Sequence, residues 1–447
     1  MTPDSTCYCI GLDLGTSGLK GVLIDRQGSV LAEAFADTSL LRPHDGWVEV
    51  DPEQHYQNVC QVIRELATAA DGDVLALAMA AASGNTLLTD AEGVPLTRII
   101  NWMDGRAEQQ PPAVLSGLTP EEIAQITGWP FVSSFPLAHL AWLREHYSDL
   151  FNSAGHYAMD TDWLLYRLTG RWRMDHSTAT TFHLQQQTPG RYYEPLLKML
   201  EIPQEKLSDL VPCGTLVGLL TAGAIRDTGL SSRTQVITGC FDHPAAARSV
   251  GVLTPGQLML SCGTSWVGFT PLMDRQAILA AGLLCDPFLS ADGGPWGGIF
   301  SVPAIGPTID WYVENVIAPD EEDRMQIFNE SAAEASPGAG GLEIDLREPP
   351  RKIAASRAEV SRAVMEGAAR LLNDKIQELQ AYGFRYDSAV MVGGPAKSPI
   401  WPTIVADITG IAVEVGDHSA GARGAALLAS EALGTSGNEQ HPTRIVQ

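Results

Sequence analysis

The chain has 447 residues, of which 45% are hydrophobic and 18% are charged. This composition is typical of a globular protein with a large core, and the length favours two or three domains. The 53 acidic residues outnumber the 29 Lys and Arg, so the net charge is −24, which argues against nucleic acid and against an anionic membrane surface as partners.

The cysteines and the apolar segments indicate the compartment. The seven Cys are odd in number and show no CxxC spacing, which argues against a disulfide framework and against a zinc site built from cysteines. The first residues lack the pattern of a signal peptide, and the longest apolar run, 74–82, is about half of the ~18 residues that span a bilayer. We therefore expect a protein of the reducing cytoplasm, with no membrane partner.

The first hundred residues predict one α/β unit. Three short apolar segments separated by Gly-containing turns predict antiparallel strands at 7–14, 21–24 and 30–35. Apolar residues at helical spacing predict a helix over 52–70 with Asp51 as its N-cap, and residues 74–82 predict a buried strand. The order βββαβ predicts a mixed sheet and excludes an all-parallel Rossmann pattern.

The rest of the chain predicts a mainly helical region and then a second, similar unit. The later predicted elements are strands at 257–260, 266–269 and 389–392, and helices at 360–379 and 418–433, the last of which has small residues that suit close packing on a sheet. The tripeptide Gly-Thr-Ser follows an apolar strand at Gly15 and again at Gly263. This repeat predicts two similar domains, 1–249 and 250–447, with residues 101–214 mainly helical.

Two segments beside predicted strands of the first domain contain residues suited to binding or catalysis. In the segment 11–20, glycines, hydroxyls and Lys20 suit a phosphate, and Asp13 suits Mg²⁺; an ordinary hairpin turn is the alternative. Asp242 follows a predicted strand at 235–237 and precedes a helix expected to begin after Pro244. Such a junction holds functional groups in α/β proteins, but Asp242 is also a candidate helix cap, and His243 alone favours a structural role.

Two further segments leave their alternatives open. Gly393 and Gly394 follow a predicted strand and suit either a planar ligand or a sharp turn. Asp104 and Arg106 suit either hydrogen bonds to a polyol or an ion pair with each other.

Taken together, six segments in order resemble the FGGY family of carbohydrate kinases, within the actin–hexokinase–Hsp70 ATPase superfamily. They are GLDLGTSGLK (11–20), NWMDGRA (101–107), MDTDWLLYRLTGRWRMDHSTAT (159–180), GCFDHPAAA (239–247), LSCGTSWVGF (260–269) and GGPAKSPIWPTIVADITG (393–410). The resemblance implies an α/β fold of two actin-like ATPase (ribonuclease H-like) domains, each with a mixed βββαβ-type sheet flanked by helices, and a cleft between them.

The resemblance also implies ATP-dependent transfer of phosphate to a small sugar, with Mg²⁺. Asp242 would be the general base, and Asp13 and Asp242 would hold the metal. The implied nucleotide-binding residues are Asp13, Gly15, Thr16, Ser17, Lys20, Gly263, Thr264, Ser265, Gly393, Gly394, Pro395 and Ser398. The implied substrate-binding residues are Asn85, Asp104, Asp242 and His243. A homodimer is possible, as in other members of the family.

Several departures from the family pattern leave the substrate open. Residues 82–87 lack the G-Q-x-H-G-like segment, His139 stands in place of a Lys, Pro395 replaces a third Gly, and the loop before residue 358 is short. His243 stands where xylulose kinases often have Asn. We expect a xylulose- or ribulose-like acceptor, with a tetritol, a deoxyketose or another polyol as alternatives.

Two other classes of protein compete with a kinase. A chaperone- or filament-type ATPase would need a further domain or polymer contacts, and the chain ends soon after the segment 393–410. A non-catalytic sugar sensor on a kinase scaffold fits the shortened substrate segments, but Asp13 and Asp242 argue against it.

Overall fold

The computed structural model of the chain describes residues 7–16, 18–82, 84–263, 265–302, 305–416 and 419–434, and the backbone of 444–445. The chain forms two units. The first contains Met1–Ser249, Asp286–Ala291 and Gly421–Gln440, and the second contains Val250–Cys285, Asp292–Ala420 and His441–Gln447. Two segments from the later part of the chain therefore belong to the first unit.

The described residues up to Ser249 form fifteen strands and ten α-helices. The strands are β1 (Cys7–Leu14), β2 (Gly18–Ile24), β3 (Val30–Asp37), β4 (Glu49–Val50), β5 (Asp73–Ala81), β6 (Leu87–Thr89), β7 (Ile99–Ile100), β8 (His156–Ala158), β9 (Arg173–Asp175), β10 (Gln185–Gln186), β11 (Arg191–Tyr192), β12 (Asp209–Val211), β13 (Leu216–Leu219), β14 (Gln235–Ile237) and β15 (Cys240–Phe241). The helices are α1 (Pro52–Ala69), α2 (Arg106–Gln109), α3 (Pro120–Thr127), α4 (Pro136–His146), α5 (Ser148–Ser153), α6 (Asp160–Thr169), α7 (His176–Phe182), α8 (Glu194–Leu200), α9 (Ala222–Thr228) and α10 (Asp242–Ser249).

The central sheet of the first unit confirms the predicted mixed topology. Its strand order is β13-β14-β5-β1-β2-β3, and β15 also pairs with β5. Strands β1, β2 and β3 are antiparallel, whereas β5 runs parallel to β1. The intervening helix α1 is capped as predicted, because the Asp51 carboxylate accepts a hydrogen bond of 2.9 Å from the backbone N–H of Gln54.

Between residues 101 and 214 the predicted helices are present, joined by short two-stranded ladders that the sequence did not indicate. Two of these ladders pair β9 with β12 and β10 with β11, and β8 pairs with β6, which precedes this region. A separate apolar core, which includes Leu140, Phe151 and Phe182, holds this helical part together.

The later part of the chain supplies a second sheet. Its strands are β16 (Gln257–Cys262), β17 (Trp266–Leu272), β18 (Leu284–Asp286), β19 (Trp296–Val302), β20 (Ser388–Gly393), β21 (Ala412–Val415) and β22 (Arg444–Ile445). Its helices are α11 (Arg275–Ala280), α12 (Ile305–Tyr312), α13 (Arg324–Glu334), α14 (Arg357–Gln380), α15 (Trp401–Thr409) and α16 (Ala420–Ala432). The order is β18-β19-β17-β16-β20-β21-β22, with β16 antiparallel to β17 and parallel to β20.

Helix α16 packs closely on the first sheet, as its small residues predicted. A Cβ at Gly11 of β1 would lie 1.9 Å from the backbone oxygen of Ala422, and a Cβ at Gly424 would lie 1.8 Å from that of Ala245 in α10. Only glycine permits backbones to approach so closely. The predicted first residue of this helix, His418, lies outside the described residues.

In the part of the chain that the structure describes, no helix is both long enough and apolar enough to cross a membrane.

Candidate active site

Asp13 and Asp242 lie at the same edge of the first sheet. Both Asp13 of β1 and Cys240 of β15 pair with Ala80 of β5, which runs between them. At a strand spacing of about 4.8 Å, this register separates the backbones of Asp13 and Cys240 by roughly 10 Å. Asp242 follows β15 directly, so the sheet brings the two predicted carboxylates together.

The helix after Asp242 begins earlier than predicted. Helix α10 starts at Asp242 itself and not after Pro244. The Asp242 Oδ1 atom accepts a 2.6 Å hydrogen bond from the N–H of His243, the next residue. An N-cap side chain accepts from an N–H two or three residues further on, so this contact is not that of a helix cap.

The electrostatics of the two carboxylates suit a cation. Burial, and to a smaller extent the charge of Asp242, raise the pKa of Asp13 to about 7, although Lys20, opposite Asp13 on β2, has a lowering effect. Burial also raises the pKa of Asp242, against the opposing effect of His243. Two carboxylates that resist ionisation together fit Mg²⁺, since a hard cation binds carboxylate oxygens and favours their charged form.

Magnesium needs few protein ligands because it keeps several waters and binds the phosphates of its substrate. Among the described residues there is no group of three or more His, Cys, Asp or Glu side chains placed to hold a metal. A site of one or two carboxylates, Asp13 and Asp242, is consistent with that finding.

The first turn of α16 lies against Asp13. A Cβ at Gly421 would lie 2.4 Å from Oδ2 of Asp13. The absence of a side chain at Gly421 therefore leaves the space that the Asp13 carboxylate occupies.

The predicted phosphate turn of the first unit follows β1 at this edge. Gly15 and Thr16 are partly exposed, and Lys20 is exposed on β2. The Thr16 hydroxyl accepts a 2.8 Å hydrogen bond from the indole N–H of Trp102. Ser17, also predicted here, lies outside the described residues. Trp102 was missed as a site residue, although the tryptophan of the segment 101–107 was a signal for it.

Asn85 is buried and positions Trp102. Its Nδ2 donates to Oδ2 of Asp160 at 2.7 Å, and its Oδ1 accepts from the backbone N–H of Trp102 at 3.1 Å. The ring of His55 extends this group, with its Nε2 3.7 Å from the same Asp160 oxygen. Sequence analysis did not single out His55 of α1 or Asp160 of α6, although Asp160 lies in the segment 159–180.

The prediction that Asp104 contacts the substrate is wrong. Its carboxylate is fully buried and accepts hydrogen bonds from Arg106 at 2.7 and 2.9 Å and from the N–H of Val48 at 2.6 Å. Arg106 also pairs with Glu49 at 2.7 Å and covers the ring of Trp47. The alternative of an ion pair between Asp104 and Arg106 is the one observed, in the interior and not on the surface.

Aromatic rings surround the backbone next to Asp242. The His243 ring packs edge-on against Phe241 at 5.4 Å, and its Nε2 lies 4.0 Å from Oδ1 of Asp242. Phe241 packs against Trp129 at 5.3 Å. A Cβ at Gly84 would lie 2.6 Å from the Phe135 ring, which also contacts Trp129. Sequence analysis missed these rings, because nothing in their spacing indicates that they meet.

In the second unit, the two predicted nucleotide segments meet at one sheet edge. Cys262, the last residue of β16, pairs with Gly393, the last residue of β20, so the turns that begin at Gly263 and Gly394 are neighbours. Gly393 has φ of 96°, and a Cβ there would lie 2.4 Å from the backbone oxygen of Cys262. Glycine is therefore required at this position.

The remaining predicted residues of these turns differ in accessibility. Gly263, Ser265 and Gly394 are exposed, and Pro395 begins a short 3₁₀ turn. Thr264 lies outside the described residues.

The predicted role of Ser398 needs a correction. Its side chain is buried, and its Oγ accepts hydrogen bonds from the N–H groups of Ile400 at 3.4 Å and Trp401 at 3.3 Å. The hydroxyl therefore holds the start of α15.

Comparison with known proteins identifies the family. The model described as "FGGY family of carbohydrate kinases, N-terminal domain" matches residues 8–248, and the corresponding C-terminal domain model matches residues 332–433. The chain therefore belongs to the FGGY family of carbohydrate kinases, and it is a sugar kinase. The resemblance found in the six sequence segments is confirmed.

Named relatives and solved structures agree with this assignment. The chain is 28% identical to the xylulose kinase of Escherichia coli (strain K12), over 94% of this chain and 89% of that protein. It is 26% identical to the autoinducer-2 kinase of Salmonella typhimurium (strain LT2), over 92% and 83%. The crystal structure of a ligand-bound xylulose kinase from Lactobacillus acidophilus matches with a TM-score of 0.87 at 22% identity, over 99% of this chain and 93% of that chain. This last match confirms the predicted fold.

Proposed function

We propose that this kinase transfers the γ-phosphoryl group of ATP to a hydroxyl of a small sugar, a ketose such as xylulose or ribulose, or a polyol, with Asp242 as general base. The observation that carries the proposal is the pairing of Asp13 and Cys240 with the same residue of β5, which puts both functional carboxylates at one sheet edge. Phosphoryl transfer depends chiefly on positioning and charge neutralisation, and this edge supplies both.

Asp242 accepts the proton of the sugar hydroxyl as that oxygen attacks the phosphorus. A general base must reach the proton and must have a pKa not far from the working pH. The Asp242 side chain is 29% exposed, so a ligand can approach it. Burial moves its pKa upward, which makes the carboxylate a stronger base than an exposed aspartate.

The hairpin after β1 holds the phosphates in this proposal. Gly15 and Thr16 offer backbone N–H groups and a hydroxyl, and Lys20 offers a positive charge. Ser17 belongs to the same proposed set. Asp13 would hold Mg²⁺ together with Asp242, and the bound ion would neutralise phosphate charge.

The turns of the second unit bind the rest of the nucleotide in this proposal. Gly263, Thr264 and Ser265 would contact phosphate, and Gly393, Gly394 and Pro395 would contact adenosine. The exposure of Gly394 and the absence of any atom within 4 Å of a Cβ built there support close approach of a planar group. Ser398 contributes indirectly, through the start of α15.

The acceptor pocket in this proposal includes His243 and the rings near it. His243 is partly exposed beside Asp242, which suits a hydrogen bond to a second hydroxyl of the sugar. Asn85 acts through Trp102, whose backbone it holds. The names of the relatives, xylulose kinase and autoinducer-2 kinase, make a small acyclic or five-carbon acceptor the first choice for assay.

The test is ADP release with Mg²⁺-ATP across a panel of pentuloses, hexuloses, tetritols and other polyols. One sugar should give turnover, and Asp242→Asn should lower kcat for it by about 10²- to 10⁴-fold, the usual contribution of a general base. Asp149→Asn is the control, since Asp149 is an exposed aspartate in the first turn of α5. An Asp242→Asn enzyme as active as wild type would refute the assignment of the base.

A further inference from the structure

A chain of buried hydrogen bonds holds the residue that precedes Asp242. The backbone N–H of Phe241 donates to Oγ of Ser177 at 3.0 Å. The Ser177 hydroxyl in turn donates to Oδ2 of Asp286 at 2.6 Å. The other carboxylate oxygen, Oδ1, accepts from the N–H of Phe288 at 2.7 Å. Ser177 and Asp286 are both fully buried, so water does not replace these contacts.

The segment that contains Asp286 also holds the far end of α10. Arg248, in the last turn of the helix, donates to the backbone oxygen of Phe288 at 3.3 Å and lies over the Phe288 ring at 5.2 Å. The helix that begins with Asp242 is thus attached at both ends to residues 286–288, within the first unit.

The Asp242 side chain itself has few constraints from the protein. Its carboxylate accepts from the N–H of His243, the His243 ring lies 4.0 Å away, and Asp13 interacts with it through charge. Its position therefore depends on the backbone of β15 and of the first turn of α10. A displacement of about 1 Å in a reacting group is enough to cost about a hundredfold in rate.

We propose that Ser177 and Asp286 are positioning residues for the general base, because they fix the Phe241 backbone from which Asp242 projects. The inference rests on the proposed role of Asp242. Neither residue contacts the sugar or the nucleotide in this proposal. Their loss should therefore reduce the rate of transfer and leave the binding of both substrates unchanged.

Ser208 provides a matched control. Its hydroxyl donates to the carboxylate of Asp162 at 2.6 Å, and both residues are buried. This bond has the same chemistry and the same length as the bond from Ser177 to Asp286, but among the described residues no hydrogen bond connects it to β15. Ser208→Ala therefore measures the effect of losing a buried serine–aspartate hydrogen bond, and Ser177→Ala measures that effect together with the loss of the hydrogen bond to the Phe241 N–H.

The experiment compares Ser177→Ala, Ser177→Cys and Ser208→Ala in the full-length enzyme with Mg²⁺-ATP and the sugar that the panel identifies. We expect Ser177→Ala to lower kcat about tenfold or more, with both KM values within twofold of wild type. Ser177→Cys fills the space of the hydroxyl with a somewhat larger thiol that is a weak acceptor, so it should lower kcat similarly, and it serves if the alanine variant does not fold. Ser208→Ala should keep kcat within twofold.

Asp286→Asn should have a smaller effect than Ser177→Ala, since the asparagine amide still offers an acceptor oxygen and an NH2 donor group, and the Ser177 oxygen stays free to accept from Phe241. Hydrogen exchange at the Phe241 amide provides a readout independent of activity. We expect faster exchange there in Ser177→Ala and unchanged exchange in Ser208→Ala.

Three results would overturn the inference: an unchanged kcat in Ser177→Ala, an equal loss in Ser177→Ala and Ser208→Ala, or a loss confined to KM. The activity of the Asp242→Asn enzyme shows whether such a result refutes only the positioning role of Ser177 or also the proposed role of Asp242. If Asp242→Asn is inactive and Ser177→Ala is fully active, only the positioning role is refuted. If Asp242→Asn retains full activity, the base itself is wrongly assigned.

Discussion

The two sheets share one strand pattern but carry different residues at the same place in it. In each, a hairpin strand runs parallel to a later strand, β1 beside β5 and β16 beside β20. The last residue but one of the hairpin strand is Asp13 in the first sheet and Ser261 in the second. Asp13 pairs with Lys20, whereas Ser261 pairs with Val267.

This difference separates scaffold from chemistry. The shared topology places Gly15 and Gly263, the first residues of the two Gly-Thr-Ser tripeptides, directly after a strand in both units, where backbone groups would suit a phosphate. At the end of its hairpin strand the first sheet has the carboxylate of Asp13, with Asp242 following β15, whereas the hairpin strand of the second sheet ends in Ser261 and Cys262. The charged residues therefore define which of the two edges carries the proposed catalysis.

The largest expected effect on kcat separates Asp13 from Ser261, which hold equivalent positions in the two sheets. Asp13→Asn should lower kcat about a hundredfold or more and raise the Mg²⁺ concentration needed for half-maximal rate, because Asp13 is the proposed metal ligand. Ser261→Ala, its counterpart in the second sheet, should change kcat by less than about threefold. Steady-state rates over a Mg²⁺ series measure both, and similar losses in the two variants would erase the distinction between the sheets.

Next in size is the effect of a methyl group at Gly421. Gly421→Ala puts a Cβ 2.4 Å from Oδ2 of Asp13, so the carboxylate must move. We expect kcat to fall about tenfold or more while stability is kept or slightly gained, since alanine favours a helix over glycine by about 1 kcal/mol. Gly117→Ala is the control, because a Cβ there meets no atom within 4 Å. Thermal unfolding and kcat should therefore diverge for Gly421→Ala; a parallel loss of both would contradict a local effect on Asp13.

A glycine at the end of a strand in the second sheet should respond in the opposite way. At Gly393 a Cβ would lie 2.4 Å from a backbone oxygen, and φ is 96°. Gly393→Ala should therefore cost about 2 kcal/mol or more of unfolding free energy, from the left-handed backbone and the contact together. Denaturant unfolding measures this cost. A stable variant would mean that β16 and β20 separate easily at this end.

The smallest effect concerns pH, where the two units also differ. All the histidines that the structure describes belong to the first unit. Burial lowers the pKa of His183 to about 3, below its unfolded value of 6.5. The folded state then binds fewer protons than the unfolded state at pH values between these two, so stability is full above pH 6.5 and falls as pH decreases below it.

His183→Asn tests this contribution, and Asn tolerates the positive φ of 61° at this position. Between pH 6 and pH 4, the variant should lose about 1.4 kcal/mol less per pH unit than wild type. The comparison uses slopes because the buried carboxyls Asp162 and Asp286, whose pKa burial raises to about 7, change stability in the opposite direction over this range. Identical slopes for the variant and wild type would refute the contribution, and His146→Asn, on an exposed histidine, is the control.

Local pattern was enough to predict much of this molecule. Apolar runs and glycine turns predicted the hairpins of both units, helical spacing and Asp51 predicted α1 with its cap, and the ordered segments predicted the kinase family. These features depend on neighbours in sequence, since strand alternation, helix periodicity and capping are short-range effects. The order of motifs also identified Asp13 and Asp242, which the sheet then places at one edge.

Only the tertiary structure decided which polar residues are free to act. Asp104 and Ser398 have side chains suited to binding a ligand. The Asp104 carboxylate is instead hydrogen-bonded to the buried guanidinium of Arg106, and the Ser398 hydroxyl is hydrogen-bonded to the start of α15. Ser177 lies in the segment 159–180 and Asp286 in none of the six segments; the two are 109 residues apart, yet they form a hydrogen bond next to the backbone that precedes Asp242. Burial and long-range hydrogen bonding depend on the packing of distant segments, so the sequence determined the class of chemistry, and the fold determined which side chains support it.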